Sequence, residues 1–189
     1  EEVLAQITPA TRLIIVNSPA NPTGGVVPRG VLFDIPRLKG VPYLEPGTAI
    51  YMEDLDAWEE MADLTVRPGD AIFVRTGRWE RRADVGPWPV PELAAGLHAS
   101  TMPWIKARDV SFLGSESSAD VAPSQIEGVR LPVHMLAMVA LGLDIFDNLD
   151  LDSLAETAAQ LNRWEFLLVA SPLAVTGGTG SPVNALAIF

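Results

Sequence analysis

The residues best able to do acid–base or metal chemistry in this chain cluster in one stretch, residues 131–149, LPVHMLAMVALGLDIFDNL. His134 is one of only two histidines in 189 residues, and the carboxylate of Asp147 follows one connection later. An imidazole serves near neutral pH as acid, base or metal ligand. The residues around His134 are apolar, and an unpaired polar group in such surroundings costs about 1–3 kcal/mol, so the ring needs a partner. Two readings follow. His134 is either a core histidine bonded to a backbone carbonyl, or a ligand or catalytic group.

The elements that must position these two side chains can be read from the pattern around them. Residues 131–141 predict a helix, with Pro132 tolerated in its first turn. The near-continuous apolar run predicts that this helix is covered on all sides. Gly142, free to take positive φ, ends it, and a short strand leads to Asp147. Upstream, residues 110–113 predict a buried strand. The polar loop 114–123, GSESSADVAP, follows that strand, and such loops are where α/β folds place ligand groups. It carries Glu116 and Asp120, for which a solvated loop is the simpler reading.

Further strands are expected at 30–35, 71–75, 166–170 and 185–189. Helices are expected at 53–64, with acids in its first turn, at 91–107, which includes His98, and at 152–161. In the last, Ser153 and Glu156 have capping-box spacing, and Leu154, Ala158 and Leu161 form the apolar stripe. Residues 40–50 and 177–182 read as loops. Residues 76–91 read as an irregular polar segment with Trp79, Trp88, Arg78, Arg81 and Arg82, a solvated loop in the simpler reading and otherwise a lid over a site or an oligomer contact. Strands and helices alternate, which predicts an α/β or α+β domain.

Composition narrows the function classes. A hydrophobic content of 48% is ample for one core, and 189 residues suit one domain with room for an appendage. The net charge of −11 argues against nucleic acid and anionic membrane as partners. The absence of cysteine removes disulfides, thiolate nucleophiles and cysteine-ligated zinc. No apolar run reaches the roughly 18 residues of a membrane span. The opening Glu1-Glu2 is unlike a secretory signal, so a cytoplasmic location is expected. The lack of an initial Met is expected of a fragment.

Two resemblances to known families follow from longer motifs. ITPATRLIIVNSPANPTGG, within residues 1–27, resembles the cofactor-domain segment of class I aminotransferases, which use pyridoxal phosphate. The resemblance implies a cofactor-ring contact for Asn21, in the N-P-T-G motif. The remainder does not follow that family. Its chemistry needs a Schiff-base lysine, and neither Lys39 in RLKG nor Lys106 in WIKARD lies in a matching context. Residues 1–27 therefore read as an appended segment, grafted or misjoined, with no functional pyridoxal phosphate.

From residue 28 to 189 the motifs are GVLFDIPRLKGVPYLEPGTAI, RPGDAIFVRTGRW, RDVSFLGSESSAD, LPVHMLAMVALGLDIFDNLDLDSL and RWEFLLVASPLAVTGGTGSPVNALAIF. Taken in this order they resemble the cyclase family, which includes kynurenine formamidase and isatin hydrolase. The resemblance implies an α/β fold of the swivelling β/β/α cyclase type, here N-terminally truncated, and often dimeric. It implies metal-dependent hydrolysis of an amide bond in a small-molecule substrate, an aryl formamide such as N-formylkynurenine or a cyclic amide. The divalent ion would be zinc or manganese. Residue by residue, His134 and Asp147 match metal ligands. Glu116 and Asp120 match an acidic loop near the substrate, and Gly178 and Thr179 match the family's G-G-T-G-S-P loop. One departure is large. The family's N-terminal motif, resembling H-x-G-T-H-x-D-x-P-x-H, supplies most of its ligands, and residues 1–33 contain no histidine. Impaired metal binding and activity are expected. The alternative is a catalytically inactive relative that retains the fold and a homodimer surface.

Overall fold

The computed structural model describes residues 28–90, 92–170, 173, 175–178 and 180–189. The aminotransferase-like segment lies outside them, as does the apolar, β-branched run at residues 13–16, which reads in sequence as a strand. The chain forms β1 (Arg29–Asp34), α1 (Ile35–Lys39), β2 (Ala49–Ile50), α2 (Met52–Met61), β3 (Ala71–Arg75), α3 (Arg78–Val85) and β4 (Gly96–Leu97). A 3-10 turn, Ala99–Thr101, leads into α4 (Met102–Ala107), followed by β5 (Phe112–Ser115). Then come α5 (Pro132–His134), prolonged as a π-helix over Met135–Leu141, β6 (Asp144–Phe146), α6 (Asp152–Leu161), β7 (Glu165–Val169) and β8 (Leu186–Ile188).

Six strands make one mixed sheet in the order β6-β5-β3-β1-β7-β8, and β2 and β4 form a small second sheet. Strands β1, β3, β5 and β6 run parallel, while β7 is antiparallel to β1 and β8 to β7. The architecture is the expected α/β class. Strands β1, β3 and β5 are buried along most or all of their length, as parallel strands with both faces covered should be. On one face, Trp104 of α4 meets Phe33 edge-on at 5.9 Å. Trp58 of α2 donates its indole N–H to the Leu32 carbonyl at 2.7 Å and packs edge-on against Trp164 at 4.9 Å. On the other face, α6 meets the end of β3, where Arg75 pairs with Asp152 at 2.9 Å and with the buried Asp34 at 3.0 Å.

Several expectations are corrected. The helix at 131–141 is not covered on all sides. Val133 and Ala137 are buried, but Met135, Met138 and Val139 are 57%, 51% and 83% exposed. An apolar run looks the same in sequence whether one face of its helix or every face is packed. Residues 78–85 are helix, not irregular loop. No residue of that helix is buried, and its i,i+4 pair of Trp79 and Ala83 is a short apolar signal among five charged residues. His98 is not helical. It is extended, and its ring caps the 3-10 turn by accepting the Ser100 N–H. Helix α6 spans the expected residues without the expected capping box. Its N-cap is Leu151, with no side-chain cap, and Ser153 lies inside the helix; the Asp152 N–H donates to Asp150 Oδ1 at 3.1 Å. The buried face of α6 is Ala155 and Ala158, and Leu161 points outward. Gly142 does end the π-helix in the left-handed conformation, with φ of 64°.

Gly96 marks the tightest approach near the functional residues. A Cβ there would come within 2.5 Å of the Ala119 carbonyl oxygen and of the Asp120 carbonyl group. Those are backbone atoms and cannot swing aside. Gly96→Ala is expected to cost about 1–3 kcal/mol by forcing the 119–120 backbone away. Urea unfolding of the two proteins measures it, and equal midpoints would contradict the close approach.

Candidate functional site

All four parallel strands end on the same edge of the sheet, and open α/β sheets bind ligands outside such carboxyl ends. Two of the expected acids lie there by simple continuation. Glu116 is the residue after β5 and Asp147 the residue after β6. The chain between them supplies Asp120 and His134.

Asp120 is wholly buried, not solvated as the simpler reading of its loop had it. Its backbone is held against Leu97, whose N–H donates to the Ala119 carbonyl at 2.7 Å and whose carbonyl accepts the Val121 N–H at 3.0 Å. The Asp120 carboxylate caps the first turn of α5. It accepts the N–H of Val133 at 2.7 Å and of His134 at 3.1 Å. One of those oxygens also lies 3.0 Å from His134 Nδ1. The other ring nitrogen, Nε2, lies 3.0 Å from Asp147 Oδ2. The His134 side chain is thus partnered by two carboxylates, one buried and one 44% exposed, not by a backbone carbonyl. Hydrogen bonds to Asp120 and Asp147 push its pKa up to about 9, against the opposing effect of burial.

Glu116 is also wholly buried, but it serves a different element. Its Oε2 accepts the N–H groups of Thr76 at 2.7 Å, Gly77 at 2.7 Å and Arg78 at 3.2 Å, and the Thr76 hydroxyl at 3.0 Å. It therefore caps α3 from 38 residues downstream of Arg78. Burial pushes the Glu116 carboxyl up, while the backbone N–H donors of Thr76 and Arg78 pull it down. Its Oε1 has no hydrogen-bond partner among the described residues, nor has the buried Arg78 Nε.

Gly178 sits on an exposed turn, and its N–H is taken by the Val175 carbonyl at 3.0 Å. Thr179 lies outside the described residues. The structure brings Asp120, His134 and Asp147 into direct contact and leaves Glu116 in an adjoining network. Sequence reasoning singled out Arg78 and Trp79 but missed their contacts with the turn after β6, and missed Asn148. Arg78 Nη1 donates to the Glu116 carbonyl oxygen and to Asn148 Oδ1. The Trp79 indole donates to the Leu149 carbonyl at 2.6 Å. Neither contact has a signal in spacing, because its two ends lie 70 residues apart.

A divalent ion can be tested against this geometry. His134 Nε2 and Asp147 Oδ2 converge as two donors. Asp120 on Nδ1 supplies the carboxylate that orients a ligating imidazole. Catalytic zinc sites use three protein ligands and one open position. Among the described residues, no group of three or more His, Cys, Asp or Glu side chains is placed to hold an ion. The described residues therefore offer an oriented pair of donors and not a complete metal centre. No helix among them is long and apolar enough to cross a membrane.

Comparison with known proteins places this geometry in context. The cyclase family model matches residues 15–120, beginning inside the segment with the aminotransferase-like motif. No curated protein sequence matches the chain. A crystal structure of a novel cyclase is 31% identical, with a TM-score of 0.72, over 85% of this chain and 53% of its own. An isatin hydrolase bound to the product analogue thioisatinate is 20% identical, with a TM-score of 0.63, over 84% and 58%. A potential metal-dependent hydrolase with cyclase activity is 15% identical, with a TM-score of 0.55, over 84% and 63%. The chain thus spans between about half and two thirds of the length of these relatives.

Two measurements check the geometry. Glu116→Ala strands the N–H groups of Thr76, Gly77 and Arg78 and is expected to lose about 3 kcal/mol. Glu116→Gln keeps an acceptor without the buried charge and is expected to stay within about 1 kcal/mol of the parent. Equal losses in denaturant unfolding would contradict the capping role. For His134, the folded protein holds its proton up to about 9, whereas an unfolded chain releases it near 6.5. The resulting stabilisation is full below about 6.5 and is lost as pH rises through 9. In metal-free protein, NMR titration is expected to place the His134 midpoint well above 6.5. A midpoint at or below 6.5 would contradict the two-carboxylate contact.

Proposed function

The chain belongs to the cyclase family, and from that premise we propose that it carries part of a metal-dependent amide hydrolase centre. In this reading a divalent ion, zinc or manganese, is held in part by His134 Nε2 and Asp147 Oδ2, and Asp120 orients the imidazole. The substrate is a small molecule with an aryl formamide or cyclic amide bond, N-formylkynurenine being the acyclic example. The observation that carries the reading is the 3.0 Å approach of His134 Nε2 to Asp147 Oδ2, with Asp120 at the same distance on the other nitrogen. One ring edge is thereby oriented and the other shares its position with an exposed carboxylate. Binding an ion at Nε2 requires the proton there to leave, so the neutral ring is the competent form.

Two donors are one short of a catalytic set. We therefore infer that metal affinity and hydrolysis in this chain are impaired relative to an enzyme with a full set. Gly178 and Thr179 keep the substrate-side role that the family motif suggests, as part of the same proposal. The shortfall also favours a second reading, a catalytically silent relative that keeps the fold and pairs with a second copy. The exposed Met135, Leu136, Met138 and Val139 make an apolar surface suited to such a homodimer. A monodisperse monomer in light scattering would count against that pairing.

Calorimetric titration with Zn²⁺ and Mn²⁺, paired with an assay of N-formylkynurenine hydrolysis, tests the first reading. Weak metal binding that disappears in His134→Ala and Asp147→Ala, with slow or no turnover, is expected. Tight stoichiometric binding would overturn the impairment. Binding unaffected by either substitution would overturn the assignment of the two ligands.

A further inference from the structure

Asp147 lies on a short exposed turn, yet its carboxylate must stay at hydrogen-bond distance from His134. The residues after it show how the turn is held. The Asn148 N–H donates to the Ser117 carbonyl at 3.0 Å, and the Leu149 N–H to the Ser115 carbonyl at 2.9 Å. Both ties run back to the end of β5. Asn148 itself sits in the left-handed region, with φ of 58°, which asparagine tolerates better than most residues. From the opposite side the turn is reached by two side chains of α3. Arg78 Nη1 donates to Asn148 Oδ1 at 2.5 Å, and the Trp79 indole donates to the Leu149 carbonyl at 2.6 Å.

Arg78 is itself fixed. Its guanidinium lies 4.5 Å over the Trp79 ring, its backbone N–H donates to Glu116 Oε2, and its Nη1 also reaches the Glu116 carbonyl oxygen. One nitrogen thus joins the end of β5 to the residue next to Asp147. A solvated surface arginine would not be half-buried and held by acceptors from two separate loops.

We infer that Arg78 is a positioning residue: it ties the Asp147–Asn148 turn to the Glu116 loop and so keeps the Asp147 carboxylate at His134 Nε2. This rests on the reading in which His134 and Asp147 act as a pair. It requires no bound ion, because the contact it maintains is present in the protein alone. If the tie is cut, the turn keeps its two backbone bonds and the Trp79 bond at Leu149, but Asp147 gains freedom to swing away from the ring.

The test is NMR of the metal-free, ¹⁵N-labelled protein at one fixed pH, following the imidazole Nε2 and its proton in His134. Asp147→Asn defines the displacement of that signal when the pairing is lost. Arg78→Met removes the donors at similar size. Asn148→Gly removes the acceptor while leaving the Arg78–Glu116 contact in place. Both are expected to move the signal by at least half the Asp147→Asn displacement, with Tm nearly unchanged and with the Asp120-facing Nδ1 little affected. Arg78→Lys, which keeps a donor, is expected to restore most of the parent signal. If Asp147→Asn moves the signal and neither Arg78→Met nor Asn148→Gly does, the tie is overturned. If Arg78→Met moves it only together with a large fall in Tm while Asn148→Gly has no effect, Arg78 is merely structural and the inference is again overturned. If Asp147→Asn itself leaves the signal in place, the His134–Asp147 pairing fails and the tie fails with it.

Discussion

A carboxylate removed from water must be fully partnered, because its unpaired charge is far costlier to bury than any neutral polar group. Two such carboxylates, Glu116 and Asp120, lie four residues apart in the loop after β5, and neither has access to solvent. Each meets most of that requirement by collecting backbone N–H groups from the start of a helix, with Glu116 Oε1 left without a hydrogen-bond partner among the described residues. Glu116 takes those of Thr76, Gly77 and Arg78, and Asp120 those of Val133 and His134. The functional residues are placed by these two acts of capping. Helix α3 arrives over the loop because Glu116 holds its first turn, and His134 arrives beside Asp120 because its own N–H is bound there.

The consequences differ for the two helices. Helix α3 buries no residue, so packing contributes little to fixing it, and its polar N-terminal contacts matter correspondingly more. That leaves Arg78 and Trp79 free to reach across to the turn after β6. Helix α5 has one buried side, Val133 and Ala137, and its continuation exposes Met135, Met138 and Val139. Packing sets its depth, while Asp120 sets the orientation of the one polar side chain it carries. Arg75 makes a third polar node at the same strand ends, facing Asp34, Glu80 and Asp152.

These placements account for how the fold of the family brings one imidazole and two carboxylates together among the described residues. The sheet, the crossover helix and the acidic loop are present, and they orient one imidazole between two carboxylates. Relatives that share this architecture extend well beyond the length matched here.

Much of the fold was legible in the residues themselves. The buried strands at Ala71–Arg75 and Arg29–Asp34, the helix at Asp152–Leu161 and the glycine stop at Gly142 follow from hydrophobic period and local stereochemistry. These features depend on near neighbours in the chain. His134 and Asp147 stood out for the same reason, as polar groups in apolar surroundings, and the family motif gave them an expected partnership. What only the tertiary structure decided were contacts between residues far apart in the chain. Glu116 and Asp120 looked like members of a solvated loop, since S-E-S-S-A-D carries no local sign that distant N–H groups will enclose it. Helix α3 was missed because its apolar signal is one short i,i+4 pair, Trp79 and Ala83, set among charged residues. The reach of Arg78 to Asn148, 70 residues away, is set by how β3, β5 and β6 align in the sheet. Local sequence determines what an element is; the geometry of the sheet determines which polar groups it meets, and those meetings make the site.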